Sequence, residues 1–215
     1  MIISRGRRYV FVHIPKTGGS SMALALEARA MKDDIMLGDT PKALKRRRRM
    51  KDVQTRGRLW KHATLADIDG LVTQDELAGM FCFTMVRNPW DRAVSYYHWL
   101  RGQGFDHPSV HLAKAVPFEG FLANASTQAG LRNWPAARYM RDAQAVERCS
   151  AYIRLEHFAQ DAAPLADHLE FELSLPMTNQ SERQSDYQRY YTPQTQNIIT
   201  ECCAEDIAQF GYSFT

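Results

Sequence analysis

The chain of 215 residues has few cysteines, no long apolar run and almost no imbalance of charge, and each shortage removes a class of protein. Its four cysteines, Cys82, Cys149, Cys202 and Cys203, form no CxxC pair and no zinc spacing, and two are adjacent. That argues against a disulfide framework and for reduced packing residues. No window approaches the roughly 20 apolar residues that a bilayer crossing needs. The opening MIISRGRRYVFVHIP has neither the apolar core nor the small-residue cleavage site of a secretory leader, so the expected location is cytoplasmic. A formal net charge of +3 is too small for a general nucleic-acid coat and leaves room for a local basic site that takes an anionic ligand. Also missing is the ordinary nucleotide loop, GxxxxGK followed by Ser or Thr.

With 45% hydrophobic residues the chain can bury a substantial core. Two stretches repeat one plan. YVFVHI, Tyr9 to Ile14, is a short β-branched and aromatic run suited to a strand buried on both faces, and after PKTGG a helical composition follows with Ser20 or Ser21 as its cap. From Met80, MFCFTMV reads as a second buried strand, RNP breaks it, and WDRAVSYYHWLR continues with helical periodicity. Asn88 is placed to cap that helix, with Pro89 at its first position.

Elsewhere Ala151 to Phe158 reads as a third strand and Ala163 to Leu169 as a helix. Residues 102 to 111 and 175 to 189 read as loops, a helix begins at Pro117, and helical spacing returns from Tyr190 to Phe210. The expectation is one α/β domain over residues 1–215, with a central parallel sheet flanked by helices. Residues 39–61 form a basic insert that carries Arg46 to Arg49 and reads either as a helix from Thr40-Pro41 or as a mobile loop.

The first loop inverts the usual order, with Lys16 before the glycines. A helix that starts after a glycine turn offers unpaired N–H groups and a positive dipole end, so Gly18, Gly19, Ser20 and Ser21 would cradle an anion beside Lys16. In the second loop Arg87 stands at the carboxyl end of its strand, where open α/β sheets bind ligands, and its planar fork suits a phosphate.

HIPKTGGSS followed about seventy residues later by VRNPWDRAVSYY resembles the paired signature of sulfotransferases that use 3′-phosphoadenosine 5′-phosphosulfate, in particular the carbohydrate group related to heparan-sulfate 2-O-sulfotransferases. KHATL, IRLEHF and the ending YYTPQTQNIITECCAEDIAQFGYSF extend the resemblance over most of the chain. It implies a fold like that of the P-loop NTPases. It also implies that Lys16, Thr17, Gly18, Gly19, Ser20 and Ser21 hold the 5′-phosphosulfate, that Arg87 and Ser95 hold the 3′-phosphate, and that Lys16 stabilises the leaving group. Arg183, in NQSER, falls where related enzymes close a polar segment over the nucleotide. His62 in WKHATL is the expected catalytic base and His13 the runner-up.

The acceptor implied is a hydroxyl, on a carbohydrate or glycoconjugate. No metal is expected, since the sulfuryl group carries less charge than a γ-phosphoryl and no apolar strand ends in the Asp that a magnesium site would use. Lys61 reads as a sulfate contact or a solvated cation, and Glu156 as structural. His98, His107 and His111 carry no motif. Two rival readings stand beside this one: a P-loop kinase or ATPase, and a non-enzymatic basic module acting through Arg46 to Arg49, whose run supplies salt-sensitive attraction without base reading.

Overall fold

The computed structural model describes residues 1–176 and 186–214. In chain order its elements are β1 (Ile2–Ser4), β2 (Tyr9–Val12), α1 (Gly19–Ala28), β3 (Ile35–Met36), α2 (Pro41–Arg46), α3 (Gln74–Ala78), β4 (Phe81–Val86), α4 (Pro89–Arg101), α5 (Pro108–Ala115), α6 (Phe118–Ala123), α7 (Ala125–Asn133), α8 (Ala136–Tyr139), β5 (Ala151–Arg154), α9 (Phe158–Asp161), α10 (Ala163–Leu169), α11 (Pro193–Cys202) and α12 (Ala204–Phe210). They fall into two compact units. Met1–Val86 and the described residues from Ala136 onward to 176 make the first; Arg87–Pro135 and residues 186–214 make the second.

The first unit holds a five-stranded sheet in the order β3-β1-β2-β4-β5. Its centre is parallel as the apolar runs require: β2 pairs with β4 and β4 with β5 in parallel, with Val12 opposite Thr84. The loop after β2 and the turn after β4 therefore leave from the same end of the sheet. β1 runs antiparallel to both β2 and β3, which makes the sheet mixed at one side. Tyr9, Phe11, Phe83, Met85 and Ile153 pack with Met22 and Leu26 of α1 and with Leu165 and Leu169 of α10. All four residues of β2 are buried, so this strand is covered on both faces.

The basic segment is helical at its start. Thr40 occupies the N-cap position and Pro41 the first turn of α2, which passes into a 3-10 turn at Arg47–Met50. Glu27 of α1 ties it down: its Oε1 accepts from the Lys42 backbone N–H at 3.1 Å, and its carbonyl accepts from Lys42 Nζ at 2.6 Å. Arg46 and Arg49 donate to the carbonyls of Asp34 and Lys32 at 3.1 and 2.7 Å.

The second unit is helical and built on α4. Its core joins Trp90, Val94, Tyr97 and Leu100 to Phe118, Phe121 and Ile199. Asn88 caps α4 as expected, its Oδ1 accepting from the N–H groups of Trp90 and Asp91. Two boundaries are corrected. β5 stops at Arg154, where a 3-10 turn takes over, rather than running to Phe158. The loop after α4 ends at His107, whose Nδ1 accepts from the Ser109 N–H and so starts α5 inside the stretch read as irregular.

Candidate active site

The first loop is shaped by two residues in the left-handed region, Lys16 at φ 65° and Gly18 at φ 85°. The expected serine cap of α1 is corrected: Gly18 is the N-cap, and no side chain caps the helix. The reason is conformational. A residue at φ 85° loses nothing if it is glycine, whereas a serine cap needs extended backbone. Ser20 and Ser21 therefore lie inside the first turn, where no side chain caps the helix and the Ser21 N–H donates to the Gly18 carbonyl at 3.0 Å. Thr17 is buried and its Oγ1 donates to the Ile14 carbonyl at 2.9 Å, so only its main chain faces the loop's work.

Gly19 is required for a different reason. A Cβ built there would lie 2.1 Å from Cδ2 of His13, so the imidazole of His13 rests directly on the first residue of α1. A cleft beside this contact is lined by His13, Ser20, Asp39, Thr40 and Lys61. Lys61 is not solvated alone, since its Nζ donates to Asp39 at 2.7 Å.

His62 meets this cluster from 49 residues away. Its Nδ1 lies 2.8 Å from the His13 carbonyl. A carbonyl only accepts, so Nδ1 carries the proton and the neutral ring keeps its free electron pair on Nε2. Burial pushes the pKa of His62 down to about 4, against the pull of that hydrogen bond, with Lys61 pushing further in the direction of burial. His13 is also driven well below the ordinary value, chiefly by burial and then by the Met1 amine, His62, Lys61 and Lys16. Both rings are neutral near pH 7, as a proton acceptor must be. Of the two, His62 is the more open and carries a defined tautomer.

The ring of His62 stands between two aromatic neighbours, His13 at 4.7 Å and Trp60 at 5.0 Å between centroids, each near edge-on. Trp60 is 44% exposed, and Arg58 lies over its ring at 5.6 Å. Neither residue stands out in the sequence.

In the second unit Arg87 follows β4 directly and is engaged by Asp91, and Ser95 is buried on α4. Asp91 was also missed in the sequence, although its i,i+4 spacing from Arg87 was legible. Arg183 lies outside the described residues. Glu156 falls in the 3-10 turn after β5. Among the described residues no group of three or more His, Cys, Asp or Glu is gathered as a metal site.

A glycine loop at the carboxyl end of a parallel strand, opening an uncapped helix beside a lysine and a neutral histidine, defines an anion-handling α/β transferase class. The chain belongs to the sulfotransferase family, whose model matches residues 1–213. No curated protein sequence matches it. Its fold is similar to that of the mouse sulfotransferase SULT7A1, solved in complex with PAP, with a TM-score of 0.55 at 15% identity over 94% of this chain and 85% of that one.

Proposed function

We propose that the chain, acting as one sulfotransferase domain, transfers a sulfuryl group from 3′-phosphoadenosine 5′-phosphosulfate to a hydroxyl of a carbohydrate or glycoconjugate and releases 3′,5′-ADP. The observation that carries this reading is the loop itself. Gly18 caps α1 without a side chain, so no cap competes with an anion for the first N–H groups of the helix, those of Gly19 and Ser20, with Lys16 just before them. The donor supplies an activated sulfuryl group and a nucleotide leaving group; every other role falls to the chain.

The loop from Lys16 to Ser21 would hold the 5′ anion, and Lys16 would offset the negative charge that grows on the departing oxygen. Nε2 of His62 would take the proton of the attacking hydroxyl, and its Nδ1 bond to the His13 carbonyl keeps the ring turned for it. Arg87 and Ser95 are assigned to the 3′-phosphate.

A sugar acceptor is favoured by Trp60. A partly exposed indole beside the proposed base offers flat apolar surface for the C–H face of a sugar ring, while Arg58, which lies over the same ring, would meet an acidic substituent. A reducing compartment, the cytoplasm, is supported by the four free cysteines.

Calorimetry with 3′,5′-ADP, 5′-AMP and ATP, without magnesium and at fixed salt, tests the reading. Selective binding of 3′,5′-ADP is expected. Preference for ATP would turn the chain into a kinase or ATPase, and polyanion binding without nucleotide binding would make it a basic module.

A further inference from the structure

The small positive charge of the chain has one main source. Seven of its 27 Lys and Arg lie within residues 42–51, which hold no acid, so the remaining 20 face 24 Asp and Glu. The segment is a strongly positive stretch on an otherwise slightly acidic chain, and such a stretch draws polyanions.

Its cations divide between two tasks. Lys42, Arg46 and Arg49 donate to the carbonyls of Glu27, Asp34 and Lys32, and with the buried Ala43 they fasten the segment to the fold. Lys45, Arg47, Arg48 and Lys51 are exposed. Because the backbone beneath them is ordered as α2 and the 3-10 turn, a ligand lying along them need not organise a loop first.

The same helix forms part of the cleft. Thr40, at its N-cap, and Ala43 line that cleft together with His13, Ser20, Asp39 and Lys61. The exposed cations begin at Lys45, two residues beyond Ala43. At about 1.5 Å per residue, residues 42–51 extend about 15 Å, more than one sugar ring covers. The matching ligand is therefore a linear polyanion. Residues 42–51 contain no aromatic side chain, whereas single-stranded nucleic acid is gripped by base stacking as well as by charge. The aromatic surface lies instead at Trp60, beside His62.

We propose that Lys45, Arg47, Arg48 and Lys51 form an exosite for an extended acidic polysaccharide, whose further units lie along this ridge while one sugar stands at Trp60 and His62. This rests on the acceptor reading above and narrows it from a carbohydrate to an anionic polymer. Binding energy from units remote from the reacting hydroxyl would hold the chain at the site.

The probe is a fluorescently tagged heparin dodecasaccharide, followed by anisotropy at fixed salt; calorimetry with 3′,5′-ADP runs beside it. A variant combining Lys45→Gln, Arg47→Gln, Arg48→Gln and Lys51→Gln should bind the probe about tenfold more weakly or worse, with a shallower salt dependence, because fewer counterions are released. Its affinity for 3′,5′-ADP should equal that of wild type. Trp60→Ala should weaken the same probe by about threefold or more, and Trp60→Phe, which keeps an aromatic face, should stay near wild type. Duplex DNA of matched charge should compete less well than untagged dodecasaccharide.

Unchanged probe affinity in the four-residue variant would place the polymer elsewhere. Unchanged affinity in Trp60→Ala would mean that the ridge holds polyanions without delivering them to the base. Either result overturns the inference, and selective binding of 3′,5′-ADP would leave the sulfotransferase reading standing. Competition by DNA as strong as by the dodecasaccharide would make the ridge a nucleic-acid surface and overturn the inference too. If wild type fails to bind 3′,5′-ADP, the transferase reading fails first and the exosite falls with it.

Discussion

Lys16 is the residue with the most chemistry asked of it and the least comfortable backbone. At φ 65° it sits where a side-chain-bearing residue costs about 1 kcal/mol or more, and such strain persists only where its surroundings impose it. Lys16→Ala keeps that backbone and removes the ammonium, so turnover at saturating donor should fall roughly 10²- to 10³-fold with little change in 3′,5′-ADP affinity. Unchanged turnover would remove Lys16 from the reaction. Gly19→Ala tests a steric demand instead. Its methyl would collide with the buried His13 ring, and an urea melt should show a loss of about 1–3 kcal/mol. A melt equal to wild type would mean that the ring can step aside.

Among elements, α4 shows how a short motif carries several duties at once. Asn88 accepts from the first turn of the helix and also donates through Nδ2 to the Ser213 carbonyl at 3.0 Å, stitching the start of α4 to the end of the chain. Asn88→Ala should therefore cost more than an ordinary cap, about 2 kcal/mol in chemical denaturation. Asn88→Asp, which keeps the cap and loses the donor, should fall between the two. If the two variants melt alike, the Nδ2 bond to the Ser213 carbonyl carries the whole effect.

The cap was legible in RNPW because Asn before Pro at a strand's end is a local signal. So were the two strand–loop–helix segments, whose apolar runs declare burial on both faces. β1 and β3 were not, since strands of three and two residues have no period to read. Gly18 displaced the expected serine cap through a backbone angle that composition does not encode. The contact of His62 with His13 bridges 49 residues, beyond the reach of any local pattern, and only the family resemblance drew attention to that histidine. Trp60 gained its meaning from the same distant pairing.

At the scale of the molecule, the buried histidines tie stability to pH. His62 titrates near 6.5 in the unfolded chain and about 4 in the fold, so between those values the unfolded state binds more protons. The His62 contribution should hold above pH 6.5 and decline as pH falls toward 4, by on the order of 3 kcal/mol. His13 acts in the same direction. So does the Met1 amine, which donates to the carbonyls of Leu37 and Lys61 and is pushed by burial from 8.0 down to about 4, so its part of the decline begins near pH 8. Urea titrations from pH 7.5 to 4.5 should trace this decline, and His62→Gln should flatten part of it. A slope unchanged in that variant would place the proton uptake elsewhere.

The two-residue strand that closes one side of the sheet has a bearing on how the protein behaves when concentrated. Strand edges recruit other chains by offering a row of unmatched backbone groups, and Ile35–Met36 offers a row too short to template a partner, while the much longer ladder between β2 and β4 is sealed inside. This border is thereby a poor template for fibrils, and the charged Lys32, Asp33 and Asp34 stand directly before it.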